Sequence, residues 1–141
     1  MRASLSQRLP NGASLLGRIG RSELWERMSR AHVLISTSVR EGWGLVVTEA
    51  NALGTPAVAY AVPGLRDAIQ DGRTGLLVAP DPRSLADAIT DFLQNARLYQ
   101  ALREDAMRWG ERFTWDRTAA RLLDVLRRSM AEDLAGRSRT A

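Results

Sequence analysis

The sequence predicts an α/β fold: a partial doubly wound (Rossmann-like) parallel sheet of about four strands with helices on both faces. The first observation is alternation. Short apolar runs suited to strands are separated by segments of helical periodicity, and strands joined by helices imply a parallel sheet covered on both sides. The second is punctuation, with turn or stop residues at Pro10-Asn11-Gly12, Gly54 and Asp71-Gly72. The third is size: 141 residues with a 45% hydrophobic share suit one domain with its own core.

Residues 1–12 read as a polar, basic lead, 13–130 as the domain and 131–141 as a polar tail. Residues 13–17 carry Leu15-Leu16 and read as the first strand, followed by the loop Arg18-Ile19-Gly20-Arg21. Ser22 is suited to cap a helix running to Arg30, with Leu24 and Met28 on one face. The run 33–36 is the second strand, and a helix from Gly44 to Leu53 ends at Gly54. Pro56 introduces the third strand, Ala57 to Tyr60, and Gly64 to Gln70 is a short helix. Gly75 to Val78 is the fourth strand.

Asp81-Pro82 starts a helix, a capping residue followed by proline at the first helical position. Its apolar face is Leu85, Ile89, Phe92 and Leu93. Leu98, Leu102, Ala106 and Trp109 mark the next helix. Thr114 can cap the last, where Trp115, Ala119, Leu122, Leu123 and Leu126 recur at helical spacing. These Leu and Trp stripes are expected to be core, with part of the last helix's apolar face expected to be left uncovered.

The stretch Glu41-Gly42-Trp43-Gly44-Leu45 joins the second strand to its helix, and Glu49 follows Glu41 with seven residues between them. A strand, a glycine-rich turn and a helix N-terminus aim free N–H groups and a positive dipole end at one point, which suits phosphate. Gly42 and Gly44 allow close approach of a ligand. Carboxylates repel phosphate, so the partners expected for Glu41 and Glu49 are hydroxyls, as on a sugar.

In these residues the sequence resembles the family-four glycosyltransferases of the GT-B fold. The signature stands as Ser38-Val39-Arg40-Glu41-Gly42-Trp43-Gly44-Leu45, then Glu49-Ala50. It continues through Gly54-Thr55-Pro56-Ala57-Val58-Ala59, Gly64-Leu65-Arg66-Asp67, Asp71-Gly72-Arg73-Thr74-Gly75-Leu76-Leu77-Val78 and Phe113-Thr114-Trp115, covering about Leu15 to Leu126. The resemblance implies the C-terminal, donor-binding domain of a retaining enzyme, truncated at its N-terminal side. It implies that Glu41 contacts the transferred sugar as the catalytic-site carboxylate, and that Glu49 holds the ribose hydroxyls. It further implies that the backbone of Gly42, Trp43, Gly44 and Leu45 faces sugar and diphosphate, while Arg18 and Ile19 lie against the base. Trp43 stands where phenylalanine is more usual.

The implied donor is a UDP- or GDP-sugar, with no cofactor and no metal expected. The acceptor domain is expected to be missing, to be supplied by another part or chain. Relatives that glycosylate lipids dock through that domain, so membrane contact is expected only there. The family's arginine and lysine for the diphosphate have no counterpart as a pair, because the chain has no lysine. In the order 3-2-1-4-5-6 the missing strands would be central. The first strand seen here either closes directly onto the next or leaves the sheet defective.

Composition narrows the alternatives. With no Cys and one His, a disulfide is excluded and a conventional zinc site is not expected. A lone His also gives no Ser-His-Asp arrangement, and His32 reads as a strand-edge residue. No apolar run approaches the ~18 residues of a membrane helix, and no secretory signal opens the chain, so a cytoplasmic location is expected. All 20 Lys-plus-Arg residues are arginine, giving a formal net charge of +4, but they are scattered and no nucleic-acid motif accompanies them. Arg40 and Arg66 are expected in solvent. The rival reading is a non-catalytic nucleotide-binding or complementing module.

Overall fold

The computed structural model describes residues 9–137. In chain order they form α1 (Arg21–Arg30), β1 (Leu34–Ser36), α2 (Leu45–Ala52), β2 (Ala57–Tyr60), α3 (Leu65–Ala68), β3 (Gly75–Val78), α4 (Pro82–Gln94), α5 (Ala96–Gly110) and α6 (Trp115–Arg137). The three strands form one parallel sheet in the order β1-β2-β3. Leu34 pairs with Ala57, and Ala57 in turn with Gly75. Central β2 is buried at all four positions, as its uninterrupted apolar sequence requires. The core gathers around it from Val47, Val58, Leu65, Phe92 and Leu102.

The sheet among the described residues has three strands, not four. The run 13–17 stays irregular, with Leu15 and Leu16 about half exposed at 53% and 48%. Its nearby backbone bond is local, from the Ala13 N–H to the Pro10 carbonyl at 3.1 Å. Two leucines with no strand beside them gain little burial, and water satisfies their peptide groups equally well. Among the described residues β1 is therefore an edge strand.

Helix starts are set locally. α1 begins at Arg21 with Gly20 as its N-cap and no side-chain cap bond, so Ser22 lies in the first turn instead of capping it. Met28 is the buried anchor of α1, and the Thr55 hydroxyl donates to its carbonyl. At α4, the Asp81 carboxylate accepts from the N–H groups of Arg83 at 3.0 Å and Ser84 at 2.9 Å. The Ser84 side chain first, and then these backbone N–H groups, hold the Asp81 pKa below its ordinary value. Leu85 and Phe92 are buried beneath this helix, while Leu93, about 100° further round it, is exposed. On α5, Leu102 and Ala106 are buried, and Gly110 lies against the backbone of Ala52.

The Thr114 hydroxyl accepts from the Arg117 N–H at 3.3 Å at the start of α6. The helix continues past the expected boundary at 131 to Arg137, through the helix-favouring Ala131 and Glu132. Its apolar stripe is not core. Trp115 is 86% exposed, and Leu122, Leu123, Leu126 and Met130 are exposed as well.

Candidate functional site

The loop from Ser38 to Gly44 leaves the carboxyl end of β1 and feeds α2. Two glycines fix its path. Gly44, the N-cap of α2, has φ +84°, a conformation that costs a side-chain-bearing residue of order 1 kcal/mol or more. Gly64 also has positive φ, +82°, and a Cβ there would collide with the carbonyl of Glu41. The backbone of Glu41 and Gly42 therefore rests on Gly64 and is held in place by it. Gly42 itself meets no neighbour on its Cβ side, so the space beside it is open.

The loop, β1 and the first turn of α2 line a cleft of about 450 Å³. Its walls include Ile35, Ser38, Glu41, Gly42, Trp43 and Leu45. A volume of this order falls in the range of small-molecule sites. The N–H groups of Val47 and Thr48 bond back to the Gly44 carbonyl at 2.9 and 3.2 Å. Those of Leu45 and Val46 have no acceptor among the described residues, and no side chain caps the helix. The first turn of α2 carries no acidic residue, so its positive end is uncompensated. The exposed Glu41 carboxylate lies in the same cleft. One wall thus donates hydrogen bonds and attracts anions, and one side chain only accepts them.

Glu49 is outside this lining. It sits one turn beyond Leu45 on α2, partly exposed, and pairs loosely with Arg21 at 3.9 Å. Arg21 is the first residue of α1, so it links Glu49 to the segment that carries Arg18 and Ile19. Arg18 is exposed and Ile19 half-buried. Sequence reasoning placed Arg21 in the same loop as Arg18 and Ile19 but missed its pairing with Glu49; its guanidinium also lies 4.8 Å from the ring centre of Trp25. Arg40 and Arg66 are exposed and do not line the cleft.

Trp43 is half-buried and packs edge-on against Phe113 at 5.3 Å, and Phe113 packs in the same way on Trp109 at 5.1 Å. The Trp109 indole N–H donates to the carbonyl of Ala68 at 2.8 Å. The tryptophan in the glycine loop is therefore the end of an aromatic brace anchored in α3 and α5. The sequence signal for the brace was the Phe113-Thr114-Trp115 motif, of which only Phe113 takes part.

Residues 2–109 match the family model described as glycosyl transferases group 1. A protein named D-inositol 3-phosphate glycosyltransferase from Nocardioides sp. is 41% identical over 115 residues, covering 81% of this chain and 25% of that protein. Its namesake from Streptomyces coelicolor is 41% identical over 108 residues, covering 76% and 24%. The chain thus spans about a quarter of the length of these relatives. Among solved structures, the sucrose-phosphate synthase of Thermosynechococcus elongatus aligns with a TM-score of 0.81 and 32% identity, over 93% of this chain and 34% of that one. HepE from Anabaena shares the fold with a TM-score of 0.72 and 22% identity, over 96% and 36%. The parallel sheet and its helices are those of GT-B enzymes, and the chain belongs to the group 1 glycosyltransferases.

Proposed function

We propose that this chain is the donor-binding part of a retaining glycosyltransferase, holding a UDP- or GDP-sugar whose hexosyl group passes to an acceptor bound elsewhere. The observation that carries the reading is the cleft in which the uncapped N-terminus of α2 and the Glu41 carboxylate meet. Breaking the bond between the sugar and the diphosphate leaves negative charge on the departing oxygens. Fixed N–H dipoles at Leu45 and Val46 stabilise that charge with little reorganisation. Glu41 accepts hydrogen bonds from the sugar hydroxyls and orients the ring for transfer. Glu49 accepts from the ribose hydroxyls, and the Arg18-Ile19 segment lies against the base. The departing diphosphate oxygen takes the acceptor's proton on the face it leaves, so the anomeric configuration is retained.

Two further points support the reading. HepE has been solved with UDP and with UDP-glucose, a donor of the proposed class. The relatives of about 40% identity carry the name of a glycosyltransferase.

The test is calorimetric titration of the purified chain with UDP, GDP, UDP-glucose and GDP-mannose. Saturable binding of one nucleotide, weakened by Glu49→Ala, is the expected result. Absence of binding by all four would overturn the assignment. Binding that is unchanged in Glu49→Ala would remove that residue from the site.

A further inference from the structure

A second basin is independent of that cleft. Gln70, Arg73, Asp105, Arg108, Trp109 and Arg112 surround a hollow of about 140 Å³ and share no residue with the glycine-loop cleft. Arg73 belongs to the turn that precedes the amino end of β3, whereas the glycine loop follows the carboxyl end of β1. Because the strands are parallel, these two segments leave opposite ends of the sheet.

The basin combines three guanidiniums with one carboxylate. Asp105 is already committed to Arg108 at 2.7 Å, and Glu104 approaches the same arginine at 3.9 Å. Arg73 and Arg112 have no carboxylate within ion-pair distance among the described residues. Cations at the end of α5 suit the helix dipole, which accounts for Arg108 and Arg112. It does not account for Arg73, which arrives from a separate turn.

The backbone that carries Arg73 and the ring beside Arg112 are tied by hydrogen bonds. The Arg73 and Thr74 N–H groups both donate to the Gln70 carbonyl at 2.9 Å, and the Gln70 N–H donates to the buried Thr74 hydroxyl at 2.9 Å. Arg112 lies 5.4 Å from the ring centre of Trp109, whose indole is tied to Ala68. Arg73, Arg108 and Arg112 are all exposed at the rim of one hollow, and several guanidinium forks suit the oxygens of a tetrahedral dianion better than those of a single carboxylate. A hollow this small takes one such group and not a whole nucleotide.

We propose that this basin is a second anion site that binds a phosphate group, either as inorganic phosphate or as the phosphate of a small monoester. Its occupant would sit against Trp109, the far end of the aromatic brace that reaches Trp43, so binding there also bears on the glycine loop.

The experiment is titration of the purified chain with inorganic phosphate, followed by calorimetry and tryptophan emission, with and without excess UDP. Saturation with a Kd of about 1 mM or below is expected. The double variant Arg73→Gln/Arg112→Gln should weaken it by about tenfold or more, since each removes a charge-assisted hydrogen bond. Asp105→Asn should tighten it, by removing the one negative charge in the hollow. Glycerol 1-phosphate run in parallel separates the sources: tighter binding than phosphate points to a monoester, and equal or weaker binding to the free ion. No saturation, unchanged affinity in the arginine variant, or displacement by UDP would each overturn the proposal. If UDP fails to bind at all, the donor reading falls while the arginine and aspartate variants still decide this one.

Discussion

Glu41, Glu49 and Asn51 lie within eleven residues, and each poses a different single-residue problem. In a complete transferase carrying this segment, Glu41→Gln should lower turnover more than nucleotide affinity, because its proposed contact is with the sugar being transferred. Steady-state kinetics beside UDP or GDP titration checks this, and equal loss in both would sink it. Glu49→Ala should raise the donor KM by roughly tenfold or more, through loss of the proposed ribose hydrogen bonds to a charged acceptor. Asn51 is fully buried on α2, and neither atom of its amide has a partner among the described residues. Asn51→Leu fills the same space without an unpaired amide and should stabilise the chain by roughly 1–3 kcal/mol in urea melts. The place of Glu41 in the cleft was legible in the sequence because its whole setting is local, a strand end, a glycine turn and a helix start. Arg21 beside Glu49 was not, because 28 residues separate the two and only the tertiary path of α1 brings them together. The unpaired state of Asn51 is equally a product of packing, on which helical periodicity is silent.

At the scale of elements, capping chemistry read correctly where it was strongest. Asp81 followed by Pro82 gave the start of α4, with two N–H groups on one carboxylate. The folded pKa of Asp81 is depressed, so the cap stabilises fully above the ordinary value of 3.8 and is lost as pH falls through the lower folded value. Asp81→Ala should therefore lower the melting temperature at pH 7. The gap to the unaltered chain should shrink as pH falls below that range, as thermal melts across pH will show. Ser22 failed as a cap because the extended Gly20 already turns the chain into α1 two residues earlier. The run 13–17 failed as a strand for a different reason: strand formation depends on a neighbour that lies elsewhere in space, whereas a cap depends only on the next few residues. Gly64, at the start of α3, carries the loop of another element. Gly64→Ala should cost roughly 1–3 kcal/mol and disturb nucleotide binding as well, since its Cβ displaces the Glu41 carbonyl.

For the molecule as a whole, α6 is the unusual part. Its 23 residues carry a long apolar stripe that touches solvent, while the sheet and α2 to α5 enclose a dense core. Uncovered stripes of this kind promote association. Sedimentation velocity should show concentration-dependent self-association, which Leu122→Ser/Leu126→Ser reduces. The same sample should show no measurable glycosyl transfer, because nothing in the described residues faces Glu41 to position an acceptor. Robust transfer by a monomer would contradict both expectations. The periodicity of α6 was plain in the sequence, but periodicity reports only that a face is apolar. Whether that face is covered is decided by tertiary packing.

The edge position of β1 has a practical consequence. Successive N–H groups of a strand point to opposite edges, and the Leu34 N–H already bonds to the Pro56 carbonyl on the β2 side at 2.9 Å. The amide proton of Ile35 therefore points away from the sheet. In a nitrogen-resolved NMR spectrum that single resonance is a gauge: it should exchange rapidly with solvent in this chain, and should slow and shift downfield once another polypeptide lays a strand alongside.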